Sequence, residues 1–312
     1  MIHSKSNQIR ILIVCSNNSG KIAPFIIEQA EALIKEGVKL EYYGIKGKGL
    51  RGYLSNRKMM LKKIEEFEPH LIHAHYGLSG LFANMQRKIP VVTTYHGSDI
   101  NDSKVFWLSK LSMLFSKHNI FVSERNLVKA KVSKRFSLLP CGVDMDFFKP
   151  VQKEIARKRM NLLLNEKYVL FSSSFNNFVK NASLAQQAIE LVDGAHLVEL
   201  KNYSREEVWW LMNAVDACIM TSYSEGSPQF IKEALACNCP IVSVNVGDVS
   251  EVISNIDGCF IADYDPVDIA GKLNQALKIE RVSGGRERLI YLKFDNQYIA
   301  SRLHDIYCHL LE

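Results

Sequence analysis

The chain has 312 residues, enough for two domains of ordinary size and more than one hydrophobic core usually serves. With 47% apolar and 23% charged residues, and no apolar run of about 18 residues, it is not a disordered, collagen-like or membrane-spanning sequence. The net charge of +6 conceals unlike halves: residues 1–150 hold 23 Lys and Arg against 12 Asp and Glu, the remainder 16 against 21. The first half therefore favours an anionic surface or ligand. No zinc-finger or RNP motif points to nucleic acid, which is not expected as a partner.

In chain order, strands are expected at residues 9–16, 39–45, 70–76, 90–96, 119–123 and 137–141. Helices are expected between them, at 22–35 and 56–67 among others. IRILIVCS (9–16) and PVVTTYH (90–96) are nearly unbroken apolar runs, as in strands covered on both faces of a parallel sheet. Residues 44–53 (GIKGKGLRGY) read as a flexible basic loop. Residues 56–67 and 103–117 combine cations with Met, Leu, Phe and Trp at helical spacing. That pattern fits either a lipid interface or an ordinary helix with its apolar side in the core.

The pattern breaks near residues 148–155 and then repeats. Strands are expected at 168–174, 196–200, 217–222, 240–244 and 259–262. Helices are expected at 182–191, 205–213, 228–237, 267–278 and 296–311. The fold expected is α/β: two Rossmann-like, doubly wound domains, 1–150 and 151–312, facing a central cleft, with the last helix free to pack back on the first domain. Ligands of such folds bind at the carboxyl ends of the strands. The opening residues do not read as a secretory signal, and most of the seven cysteines lie in apolar runs. A reducing, cytoplasmic setting follows. Cys237 and Cys239 form a C-x-C without a second pair, which argues against zinc.

The segment richest in chemistry is 222–248. A strand should end at Ser222, a loop carry Glu225 and Gly226, and a helix open with Ser227 as N-cap and Pro228 at its first position. The N–H groups of such a first turn suit an anion. Glu233, eight residues after Glu225, falls on the buried side of that helix and needs a partner. A sugar or ribose diol, a backbone group or Lys232 would serve. His73 and His75 share one strand face, but no third ligand has matching spacing, so no metal is expected. Asp144-Met145-Asp146 imitates a D-x-D metal motif, yet its place at the join favours a hinge or capping role.

These residues resemble the E-x7-E motif of family-4 glycosyltransferases, which are retaining nucleotide-sugar enzymes of GT-B fold. Other elements fall in order. Asn18-Ser19-Gly20 lies where the family has a glycine loop, and Tyr95-His96-Gly97-Ser98-Asp99 is similar to its H-G-x-D segment. Pro140-Cys141-Gly142-Val143-Asp144 resembles its interdomain join, and Lys180-Asn181 its Lys-Gly helix opening. The resemblance implies that Glu233 holds the ribose, Glu225 the transferred sugar, and the Gly226 and Ser227 N–H groups the sugar and diphosphate. It also implies that Lys180 stabilises the departing phosphate. His96 would touch the reacting sugar or acceptor, Gly20 would contact donor, and His75 and Asp99 would lie on the acceptor side.

Ser174, expected among the donor-binding residues, stands where the family places a phosphate-binding Arg, so Lys180 acts alone there or another basic residue substitutes. The resemblance implies no metal or other cofactor, and no dedicated general base, the leaving phosphate taking the acceptor's proton. It further implies a hexose or N-acetylhexosamine moved to a lipid-linked or polysaccharide acceptor in bacterial surface-glycan synthesis. The basic first domain would then contact the inner face of an anionic membrane. Two alternatives stay open: a non-catalytic nucleotide-sugar-binding subunit, for which the missing Arg speaks, and a GT-B-fold 2-epimerase, against which the E-x7-E spacing speaks.

Overall fold

The run IRILIVCS forms the buried strand its composition calls for, and the sheet grows outward from it. The structure, a computed structural model, describes residues 8–312, the Leu50 side chain excepted. Six parallel strands, β1 (Arg10–Ser16), β2 (Lys39–Ile45), β3 (Leu71–His75), β4 (Val91–Tyr95), β5 (His118–Phe121) and β6 (Phe136–Leu138), lie in the order β2-β1-β3-β4-β5-β6. Helices α1 (Pro24–Lys35), α2 (Gly49–Leu54), α3 (Arg57–Phe67), α4 (Gly77–Asn84), α5 (Ser98–Asn101), α6 (Ser103–Phe115) and α7 (Glu124–Ala130) connect them. Side chains alternate across β1. Ile11, Ile13 and Cys15 meet Ile26 and Leu33 of α1, while Leu12 and Val14 meet Met60, Phe67 and Phe82 on the other face.

A second parallel sheet comprises β7 (Lys167–Phe171), β8 (Ala195–Glu199), β9 (Ala217–Met220), β10 (Ile241–Val244) and β11 (Cys259–Ala262), in the order β11-β10-β9-β7-β8. Its helices are α8 (Lys153–Arg159), α9 (Ala182–Glu190), α10 (Arg205–Ala214), α11 (Gln229–Ala236), α12 (Val249–Val252), α13 (Pro266–Ala276) and α14 (Gly285–Tyr291). The last helix, α15 (Asn296–Leu311), belongs to the first unit, where Ile299, Leu303 and Tyr307 join the core beside α1. None of the seven cysteines is in a disulfide. Among the described residues no helix is long and apolar enough to cross a membrane.

The division falls at Gly142 rather than at residue 150. Residues 143–150 are held by the second unit. Val143 N–H donates to the Phe294 carbonyl (2.8 Å), Phe148 is fully buried, and Arg286 donates to the carbonyls of Met145 (2.8 Å) and Phe148 (2.7 Å). Asp144 Oδ1 accepts from the N–H groups of Asp146 (3.0 Å) and Phe147 (2.9 Å), the capping role expected of it. Residues 44–53 are not a flexible loop. Gly44 and Ile45 end β2, α2 follows, and Tyr53 is buried edge-on against Phe82, an anchor that glycine-rich composition obscures.

The two cationic helices part ways. α3 buries Met60 and Phe67 in the ordinary manner, whereas α6 buries Ser109 and Ser112. The cause is a close approach to α4: a Cβ added at Gly77 or Gly80 would lie 2.1 and 2.3 Å from the hydroxyls of Ser109 and Ser112. Gly77→Ala is therefore expected to cost about 1–3 kcal/mol of stability despite the better helix propensity of alanine. Urea unfolding checks this, and an unchanged midpoint would show that α6 yields freely.

Candidate active site

Both sheets present their functional side chains at the carboxyl ends of strands, where βα loops leave the sheet. In the first unit β3 and β4 end side by side. His75 Nδ1 lies 3.0 Å from His96 Nε2, their rings stack at 5.2 Å, and His73 stacks on His75 at 4.5 Å. Tyr307 O–H and Thr94 Oγ1 engage the two nitrogens of His73, at 2.6 and 2.7 Å. His75 Nε2 is buried without a partner. A stranded lone pair costs less than a stranded N–H, so the shared proton belongs on His75 Nδ1, with His96 Nε2 accepting. His96, half-buried at the end of the row, also has Cys141 Sγ 3.5 Å from Nδ1 and the rings of Tyr76 and Phe25 within 4.6 and 4.9 Å.

The loops that carry these rings are strained. Tyr76 has φ +73°, ψ 147°, a region glycine favours, and Gly97 has φ +116°. Asp99 holds them. Its Oδ1 accepts from the N–H groups of His96 (3.0 Å) and Gly97 (2.9 Å), and Oδ2 accepts from Gly77 N–H (2.9 Å). Both oxygens of this buried carboxylate thus face the backbone, which makes Asp99 a clasp for the loops beside His96. Gly20 lies at φ +79° in the loop after β1, where Asn18 Oδ1 accepts from Gly47 N–H (2.7 Å).

In the second unit each glutamate of the E-x7-E pair meets a cation from a different loop. Lys180 Nζ, after β7, lies 2.6 Å from Glu225 Oε1. Arg205, opening α10 after β8, lies 2.6 Å from Glu233 Oε1 and stacks on Phe148 at 4.7 Å. The glutamate side chains are only 13% and 6% exposed, so each needs such a partner. Thr221 Oγ1 donates to the carbonyls of Lys180 (3.1 Å) and Asn181 (2.8 Å), and Tyr223 N–H to that of Val179 (2.9 Å), which fixes the Lys180 loop to the end of β9.

Three details differ from expectation. Glu233 is met by Arg205 and not by Lys232, which lies over the Phe294 ring. α11 begins at Gln229 with Pro228 as N-cap, and the Ser227 hydroxyl is bound instead to Asp248 Oδ2, 21 positions away. Ser174, in the place of the family's Arg, donates to Glu199 Oε1 (2.9 Å), which also accepts from Phe175 N–H (2.7 Å). That backbone bond, with Ser174 and Lys201, lowers the Glu199 carboxyl below its usual range. Arg205 and Glu199 were missed. Arg205 carried one local signal: a cation in the first turn of a helix opposes the dipole unless an anion waits for it. Among the described residues no group of three His, Cys, Asp or Glu is placed to hold a metal ion.

Two parallel, doubly wound sheets with such edges define a Rossmann-like pair of GT-B type. The chain belongs to the family-4-type glycosyltransferases: residues 7–147 match the family model described as Glycosyltransferase Family 4, and residues 179–291 that of Glycosyl transferases group 1. A Bacillus subtilis protein named as a teichuronic acid biosynthesis glycosyltransferase is 26% identical over 61% of this chain and 57% of its own length. The chain spans a little over half the length of the curated relatives it matches. In fold it is similar to sucrose-phosphate synthase from Thermosynechococcus elongatus (TM-score 0.83, 17% identity, 97% and 99% of the chains). It is likewise similar to Anabaena HepE, solved with UDP-glucose (TM-score 0.78, 14% identity, 97% and 100%).

The buried histidines set a pH limit. Burial pulls His73 down to about 3, and burial with the neighbouring His73 and His96 pulls His75 well below 6.5. Both stay neutral in the fold while the unfolded chain protonates them, so stability is lost as pH falls below about 6.5. Asp99, pushed up to about 6 by burial against its backbone donors, works in the opposite direction between about 6 and 3.8. His70 and His118, also lowered by burial, add to the histidines' side, so the first unit should lose stability as pH falls from about 6 to 4. Denaturant titrations at pH 7, 6 and 5 check this; a flat profile would mean the histidines are solvated.

Proposed function

We propose that the chain is a retaining glycosyltransferase that moves a hexose or N-acetylhexosamine from a nucleotide diphosphate to a lipid-linked or polysaccharide acceptor. The setting is surface-glycan synthesis on the cytoplasmic side of a bacterial membrane. The pairing of both E-x7-E carboxylates with cations on one sheet edge carries this reading. HepE, similar in fold, was solved with UDP-glucose, and the B. subtilis relative is named for teichuronic acid biosynthesis.

The second unit holds the donor. Glu233, kept in orientation by Arg205 on one oxygen, takes the ribose hydroxyls. The diphosphate draws Lys180 away from Glu225, which frees that carboxylate for the hydroxyls of the sugar. As the anomeric C–O bond breaks, charge grows on the outer phosphate, where Lys180 stabilises it without a metal. The acceptor hydroxyl attacks from the face the diphosphate leaves, and its proton passes to that phosphate. No dedicated base is then required. On the first unit His96 addresses the acceptor, with His75 and the Asp99 clasp behind it. The reading of a non-catalytic binding subunit draws on Ser174, which stands in the place of the family's Arg and is bound to the Glu199 carboxylate.

A thermal-shift panel of UDP-, GDP-, ADP-, CMP- and dTDP-sugars in EDTA and in Mg²⁺ tests this. One nucleotide class should stabilise the protein equally in both, and Glu233→Ala should remove the shift. Lys180→Ala should bind donor yet transfer about 100-fold more slowly. His96→Ala should likewise lose transfer and keep donor affinity. A shift that survives Glu233→Ala would sink the ribose assignment. Binding with no turnover in the wild type would favour the subunit, and donor turnover without acceptor the epimerase.

A further inference from the structure

Helix α6 buries Met113 and half-buries Phe106, yet leaves most of its other large apolar side chains outside. Trp107, Leu111, Leu114 and Phe115 recur at helical spacing on one face and are 57%, 38%, 62% and 40% exposed. The opposite face, with Ser109 and Ser112, is buried against Gly77 and Gly80 of α4. A helix in a water-soluble protein normally does the reverse. The contact with α4 admits only small side chains, so rotating α6 to hide the apolar face would drive Trp107 or Leu114 into that seam.

Charge surrounds the apolar face. Lys104 and Lys110 flank it, the Arg87 guanidinium lies 4.2 Å over the Phe115 ring, and Lys88, next to Arg87, and Lys117, just past the helix, are exposed. Residues 103–117 contain no acid, and the Asp102 carboxylate caps the helix through Lys104 N–H (2.9 Å). α3, the other cationic helix, buries Met60 and Phe67 and exposes Met59 alone among its large apolar side chains.

We propose that α6 inserts its Trp107–Leu111–Leu114–Phe115 face into the surface of an anionic lipid bilayer, its lysines reaching the headgroups. A tryptophan with long apolar side chains, rimmed by cations, matches the interfacial zone, where the ring sits at headgroup depth. A second copy fits poorly, since its like-charged rim would face this one. The inference rests on the proposed lipid-linked acceptor for its purpose, but binding to lipid requires neither donor nor acceptor.

Flotation of the full chain with phosphatidylglycerol–phosphatidylcholine vesicles, against phosphatidylcholine alone, tests it at about 0.1 and about 0.5 M salt. The protein should float with the anionic vesicles and retain part of that binding at the higher salt, because insertion is not screened. Leu111→Ser with Leu114→Ser should weaken partition about tenfold or more, as should Trp107→Ser alone, while Lys58→Gln with Lys62→Gln on α3 should change it less than threefold. All of these side chains are exposed, so donor-induced thermal shifts should be unchanged. Absent flotation, or equal flotation of the serine variants, overturns the proposal. So does a dimer in sedimentation that the serine variants dissolve, since the second copy would then be the occupant. Flotation lost with the donor shift intact refutes the anchor alone; a donor shift lost with flotation intact refutes the transferase reading alone.

Discussion

Two carboxylates placed where water barely reaches set the terms for the carboxyl edge of the second sheet. Glu225 and Glu233 each need a cation within hydrogen-bonding distance, and the fold brings each from a separate βα loop: Lys180 after β7, Arg205 after β8. The glutamates come from the end of β9 and the helix that follows it, so three adjacent strand ends are tied by two ion pairs. The chemistry follows from the same arrangement. In the proposed reading a diphosphate competes with Glu225 for Lys180, and a ribose diol takes what Arg205 leaves of Glu233.

The first unit solves a different problem. Its inner histidines, His73 and His75, are kept neutral by burial, and the Asp99 carboxylate is turned to the backbone. Asp99 keeps the His96 loop and the start of α4 in a strained geometry that places His96 at the open end of the row. The cost is acid sensitivity, because the row holds only while its inner members stay unprotonated.

The strands were legible because their signal is local: uninterrupted β-branched runs mark β1 and β4, and β2, β11 and α15 fall where they were expected. The E-x7-E pair was legible as spacing. What the sequence hid is decided by distant partners. Nothing near Glu233 announces Arg205 except a cation misplaced at a helix start. The Ser227 hydroxyl is diverted by Asp248, so the serine is not the helix cap its neighbours suggest. For α6 the periodicity is plain but its sense is not, since glycines on α4 decide which face is buried. Tyr53 likewise converts a glycine-rich basic stretch into an anchored helix. Lys149-Pro150 resembled a boundary, yet Phe148 had already joined the second core.

The central claim is that Lys180 exchanges Glu225 for phosphate. A crystal structure with bound UDP, or with whichever nucleoside diphosphate stabilises the protein, tests it most directly. The account predicts that Lys180 Nζ, now 2.6 Å from Glu225, moves to the outer phosphate, with the ribose hydroxyls on Glu233. A diphosphate bound while the Lys180–Glu225 pair stays closed would contradict it.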